Sequence, residues 1–213
     1  MNHKMLSLAD QIFNQLQYDI LTGVYEKDEL LTEIKLSEQL GVSRTPVREA
    51  LSRLGQENLV EVTTKGAKVI GISEKDITDI YEIRSRIEYL AARGAAENAT
   101  DEELKEFKRI LDLQEFYTKK GDNELSIDAD SDFHSCLYRI CGNRSLMYTL
   151  APLHRRIIKY RRVSFETPQR ALESLKEHTD IYNAIAAHDA DLAEKLMNNH
   201  IHKAHVNMIG GKE

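Results

Sequence analysis

The 213 residues are 41% hydrophobic and 30% charged, with 10 Gly and only 3 Pro, a composition suited to one large or two small helix-rich domains. No run approaches the roughly 18 apolar residues of a membrane helix and no signal-peptide core opens the chain, so a cytoplasmic location is expected. The formal net charge of -6 excludes indiscriminate nucleic-acid binding but leaves room for a local basic surface.

Leu6, Ile12, Phe13, Leu16, Ile20 and Leu21 recur at helical spacing and predict a helix from 6 to about 22, with Gly23 beyond its end. A second helix starts near Thr32, a natural N-cap, and runs through Ile34, Leu36 and Leu40 to Gly41. A third follows Ser43 through Val47, Ala50, Leu51 and Leu54, with Pro46 in the first turn where a missing N–H is tolerated. Leu59 to Thr63 and Ala67 to Ile70 then read as a β-hairpin turning at Gly66. Three short helices and a hairpin predict a winged helix-turn-helix. In that motif Arg44, Thr45 and Arg48 lie at the end of the third helix that enters the major groove. Arginine suits that place because its planar fork bonds guanine edges or phosphate oxygens. Lys65 and Lys68 on the wing can meet phosphate. The competing reading makes Arg44, Arg48 and Arg53 a solvated helix face.

Gly41-Val-Ser-Arg-Thr-Pro-Val-Arg-Glu-Ala-Leu51 resembles the recognition-helix signature of the GntR family of bacterial regulators, and Leu59-Val60 and Gly66 fit the same pattern. The resemblance implies DNA contacts from Arg44, Thr45 and Arg48, with Lys65 and Gly66 at the wing tip. Glu33 is followed by Ile34 where many members carry Arg, so that additional contact is missing; Lys35 is a weak substitute.

After the short Gly71-Ile72 link the pattern is helical throughout, which divides the chain into a DNA-binding domain over 1–72 and a helical domain over 73–213. Helices are expected near 74–98, 101–119, 123–141, 144–165, 169–188 and 190–208, with Ser73 and Thr100 as N-caps and a capping box at Thr100 and Glu103. The fold class is therefore mainly α, a winged helix-turn-helix followed by an antiparallel helical bundle. Cys136 and Cys141 are expected as reduced, packed thiols.

Polar residues stand where these helices should be apolar. Ile127, Asp130, His134, Leu137 and Cys141 form one stripe, with Asp130 and His134 one turn apart on one side. Ala171, Leu175, His178, Tyr182 and Ile185 form another, and Ala193, Met197, His200 and Ala204 a third. A buried carboxylate without partners is costly, so these groups should meet each other or a metal. Three imidazoles and a carboxylate suit Zn²⁺, Ni²⁺ or Mn²⁺; singly, each histidine could equally be a hydrogen-bonded core residue. Arg84 interrupts the stripe Ile77, Ile80, Ile87, Ala91 and wants a carboxylate from the protein or from a ligand. His3, His154, His188, His202 and His205 are expected at the surface, and the basic run His154-Arg155-Arg156 with Lys159, Arg161 and Arg162 on a solvated face or an interface.

Asp130-Ser-Asp-Phe-His134, Gly142-Asn143 with Leu146, Glu177-His178 with Ala184-Ile185, and His200 are similar to the FCD domain of the FadR subfamily of GntR regulators. That resemblance implies Asp130, His134, His178 and His200 as ligands of a divalent metal ion and a small carboxylate effector beside it, with Arg84 a candidate for its carboxylate. A repressor rather than an enzyme is expected, a homodimer whose two recognition helices read a short palindrome in operator DNA. A metalloenzyme would need a general base beside the metal, which the sequence does not offer. A purely structural metal, or none, is the remaining alternative.

Overall fold

The structure is a computed structural model and describes residues 6–158, 161–162 and 167–210. The chain divides into two compact units, one ending at Ser73 and the other starting at Glu74.

The first unit runs α1 (Leu8–Thr22), β1 (Leu30–Leu31), α2 (Glu33–Leu40), α3 (Arg44–Gln56), β2 (Val60–Thr63) and β3 (Gly66–Val69). Local chemistry sets the boundaries. Ser7 and Asp10 form a capping box at the start of α1, and Thr32 accepts from Lys35 N to cap α2. Gly23 and Gly41 end the two helices in the left-handed conformation. Phe13, Leu16 and Ile20 of α1 pack with Val47, Ala50 and Leu54 of α3, all buried. Each such side chain contributes about 1.5–3 kcal/mol when fully withdrawn from water. The hairpin pairs Val60 with Val69 and Thr63 with Gly66. β1 adds a third strand, giving the order β1-β3-β2 with Leu31 opposite Ala67. Two residues are too few for any periodicity, so the sequence did not announce this strand. Its closeness explains Gly66: φ is 146°, and a β-carbon there would lie 2.5 Å from Leu31 O.

The second unit contains α4 (Glu74–Asn98), α5 (Asp101–Lys120), α6 (Asn123–Ile140), α7 (Arg144–Arg156), α8 (Pro168–Ala186) and α9 (Ala190–Gly210). The capping box forms at Thr100 and Glu103, Asp122 caps α6, and Asn143 caps α7. α4 packs along α9, and α5 along α6 and α8. Ala91, Ala92, Ala95 and Ala96 are buried on α4, and Gly94 approaches so closely that a β-carbon would meet Cys141 O at 2.4 Å. Cys136 and Cys141 are buried free thiols, and burial pushes the Cys136 thiol up to about 11.

One boundary differs from expectation. The helix predicted over 144–165 ends at Arg156, where Ile157 N reaches back to His154 O in a tightened last turn. Pro152 already removes one donor from the helix, but no Gly or Pro marks the break itself. Residues 158 and 161–162 are helical again, with Arg161 N on Ile157 O at 3.0 Å; residues 159, 160 and 163–165 of the expected stretch lie outside the described residues.

Candidate metal centre and nucleic-acid interface

α6, α8 and α9 each turn one imidazole into the helical unit. His134, His178 and His200 are almost wholly buried, and their ligating nitrogens all lie within 4.8 Å of one another. His178 Nε2 and His200 Nε2 are 3.4 Å apart, close to the ~3.3 Å that a tetrahedral ion with bonds of about 2.0–2.1 Å imposes on two nitrogen ligands. Asp130, one turn before His134, lies 3.8 Å from His178 Nε2 and 4.0 Å from His134 Nε2.

The outward nitrogens matter as much. His200 Nδ1 is 2.8 Å from Glu177 Oε2, His178 Nδ1 is 2.9 Å from Gln114 Oε1, and His134 Nδ1 is 2.9 Å from Glu88 Oε1. These oxygens only accept, so Nδ1 of His178 and of His200 carries the proton and Nε2 presents a lone pair inward, while His134 Nδ1 faces Glu88 outside hydrogen-bond geometry. Burial holds His134 down at about 4, against the pull of Glu88, and depresses His178 and His200 as well. Three neutral imidazoles with converging lone pairs repel one another unless a cation lies among them. The donor set therefore fits a divalent ion.

Glu88 anchors a second layer. Arg84 Nε and Nη2 fork onto its carboxylate at 2.6 and 3.0 Å, and Tyr138 donates to Oε1 at 2.6 Å. Burial opposes the charge on Glu88, yet Arg84 and His134 hold its carboxyl well below the usual range. Arg84, marked by the sequence for a ligand carboxylate, thus already has a protein partner four residues along. It nevertheless lines the central cavity with Asp130, His134, His200, Arg161 and Arg170.

Two residues assigned to the surface are instead buried here. His154 lies 2.8 Å from Arg161 Nη1 and forms, with Glu88 and His134, a second group able to hold a metal ion. Arg161 donates to Ser131 Oγ at 3.1 Å and pairs with Asp130. The solvated-face reading of the basic run fails for these two because each is buried and the two bond one another, with Arg161 paired to Asp130. Arg155 and Arg162 are more open, Arg162 reaching Glu124 at 2.6 Å, and Lys159 lies outside the described residues. Sequence reasoning also passed over Glu88, Gln114, Arg170 and Ser174, and gave no role to Glu177 beyond its place in the FCD pattern. Glu88 had a signal, standing four residues after Arg84. Among the other histidines, His202 is exposed and His188 bonds Ala96 O, whereas His205 is half-buried against Tyr81 and His3 lies outside the described residues.

In the first unit Arg44, Thr45 and Arg48 are exposed on the first turns of α3, and no acidic residue stands in its first turn. The helix N-terminus adds partial positive charge to theirs. Arg48 forks onto Glu33 through Nε and Nη2, both at 2.8 Å. Lys65 is exposed at the hairpin tip beside Gly66, and a groove between α3 and the wing is lined by Arg44, Arg48, Lys65 and Gly66. Arg53 is not part of it: it bonds Asp10 at 2.6 Å and covers the Phe13 ring. Lys68 pairs with Asp28 at 2.7 Å.

These features define a class: a DNA-reading winged helix-turn-helix carried with a helical unit that encloses a polar cavity. Residues 8–70 match the family described as bacterial regulatory proteins, gntR family, and residues 79–203 match the FCD domain. The chain belongs to the GntR family of bacterial transcriptional regulators, with a C-terminal FCD domain. It is a transcriptional regulator whose GntR domain binds DNA, and not an enzyme. It is 30% identical over 185 residues to the HTH-type transcriptional regulator McbR of Escherichia coli K12, covering 86% of this chain and 83% of that one. It is 28% identical over 192 residues to the HTH-type transcriptional repressor RspR of the same strain, covering 90% and 84%. The solved structure of E. coli McbR/YncC superposes with a TM-score of 0.84 at 25% identity, covering 98% of this chain and all of the other. Among the described residues no helix is long and apolar enough to cross a membrane.

Proposed function

We propose that this regulator is a homodimeric, cytoplasmic repressor whose operator affinity is set by a small carboxylate bound at a divalent metal in its helical domain. Zn²⁺, Ni²⁺ and Mn²⁺ all suit the donors. The observation that carries the reading is the convergence of three buried imidazoles, two of them fixed by a hydrogen-bond acceptor on the far side of the ring and the third facing the Glu88 carboxylate. Asp130, His134, His178 and His200 would hold the ion. When bound, an ion that expands beyond these four ligands would act as a Lewis acid toward a carboxylate oxygen. The chain's own residues do the rest: Glu88, Gln114 and Glu177 orient the imidazoles, and Arg84 steadies Glu88 beside the cavity. Arg44, Thr45 and Arg48 would read base edges and phosphates, with Lys65 and Gly66 at the adjoining backbone, in the two halves of a palindrome. The effector must bind the two DNA-affinity states unequally to act at all.

Fluorescence anisotropy on DNA from upstream of the gene tests both parts. Arg44→Ala with Arg48→Ala should weaken specific binding by at least about tenfold, since each good bidentate base contact discriminates by about 1–3 kcal/mol. In the metal-loaded wild type a small carboxylate should release the DNA, and in Asp130→Ala it should not. Undiminished binding by the double mutant would remove the recognition surface. Equal release from wild type and Asp130→Ala would remove the sensor.

A further inference from the structure

Resting on the metal site proposed above, we propose that the effector is a small dianion, a dicarboxylate in chemical class, and that Arg161 recognises its second charge by exchanging Asp130 for it. Six charged side chains gather around the cavity, three arginines (84, 161 and 170) and the carboxylates of Glu88, Asp130 and Glu177. With neutral imidazoles the cluster carries no net charge. Arg84 is forked onto Glu88, and Arg170 bonds Glu177 at 3.2–3.4 Å. Among the described residues Arg161 pairs directly with the carboxylate of Asp130 and bonds two neutral groups, Ser131 Oγ and His154 Nε2.

Asp130 is also a proposed metal ligand. A divalent ion that takes it raises the cluster charge by two and deprives buried Arg161 of the carboxylate it directly contacts, leaving only the more distant pull of Glu88 and Asp128. A ligand with two negative charges removes both problems at once, one carboxylate toward the metal and the other on the Arg161 fork. A monoanion leaves one buried positive charge uncompensated. Space points the same way. The central cavity has about 30 Å³ free, room for water but not for a diacid. A second cavity, of about 360 Å³, shares His154 and Arg161 as its wall. Moving Arg161 off Asp130 joins the two. Asp128 and Asp132 face the outer space, so an anion is retained at Arg161 rather than beyond it.

Calorimetric titration of the Zn²⁺-loaded full chain with carbon-matched acids tests this: malonate, succinate and glutarate against propionate, butyrate and valerate. At least one diacid should bind about tenfold or more tighter than its partner, as expected for a charge-assisted bidentate contact. Arg161→Gln should hold Zn²⁺ as tightly as wild type or tighter, because its competitor for Asp130 is gone, and should lose the preference; Arg161→Lys should keep part of it. Equal affinities within every pair, no binding of any acid, a preference that survives Arg161→Gln, or weaker Zn²⁺ binding in that variant would each overturn the proposal. If Arg161→Gln does not fold, wild type and Arg161→Lys decide the case: no preference in wild type, or a preference undiminished in Arg161→Lys, overturns the proposal, and a reduced preference in Arg161→Lys supports it. A wild-type chain that holds no Zn²⁺ overturns this proposal together with the metal site, whereas Zn²⁺ held without a diacid preference overturns this one alone.

Discussion

Arg48 and Arg53 lie on one short helix, five residues apart, with unlike surroundings. Arg53 spreads over Phe13 and bonds Asp10, whereas Arg48 stays 68% exposed and is steered by Glu33. The recognition motif was legible because Gly41, Ser43 and Pro46 each answer a local backbone demand that any reader of turns can see. The partners of the arginines were not, since Glu33 and Asp10 come from other helices. Gly66 shows the same division: its place in a hairpin was readable, its contact with β1 was not. Gly66→Ala should cost about 1–3 kcal/mol, because a β-carbon would press on the Leu31 carbonyl from a backbone angle that L-residues avoid. Urea unfolding of the variant measures it, and an unchanged midpoint would show that β1 can move aside.

Helix faces carried most of the candidate site in plain view. Asp130, His134, His178 and His200 were found because each interrupts an apolar stripe, and the structure gathers all four. What stayed hidden sits where the pattern itself fails. His154 and Arg161 straddle the interruption after Arg156, inside a basic run that reads as solvated until the helices around it are known. Glu177 and Gln114 were overlooked for a different reason: they touch the imidazoles from behind, and only packing between helices brings them there. Removing one of these supports is informative. Glu177→Gln leaves an acceptor but no charge, and should weaken metal affinity by about tenfold or more without abolishing it; a competition titration with a chelating dye reads this directly, and unchanged affinity would make Glu177 a surface residue only. On α4, Gly94→Ala should destabilise by about 1–3 kcal/mol, although alanine normally favours a helix, because the added carbon meets Cys141 O. A raised melting temperature would contradict the close packing described.

Across the whole molecule, the two units follow different rules: a small one with exposed cations on one helix end, and a helical one with charges turned inward. Both characters were written in periodicity, but the pairing of the inward charges was not, since it depends on which side chains compete for the same carboxylate. The buried imidazoles also give the molecule a pH signature. His134 is depressed from its ordinary 6.5 to about 4, so in the fold it is neutral where the unfolded chain is protonated. Stability from that group is complete above pH 6.5 and declines as pH falls toward 4. Metal ligation requires the same neutral form, so bound metal should survive to about pH 5 and be released below it. A pH series of metal retention checks this; release already at pH 7 would mean the rings are not shielded from water.

Metal content measured alongside fold is the most direct test of the sensor. The purified full chain, equilibrated with Zn²⁺ and freed of loose ions by gel filtration, should carry one tightly held ion per chain by elemental analysis. His178→Ala, with its helical circular dichroism intact, should carry almost none. A correctly folded wild-type chain without metal, or a His178→Ala chain holding it equally well, would contradict the account.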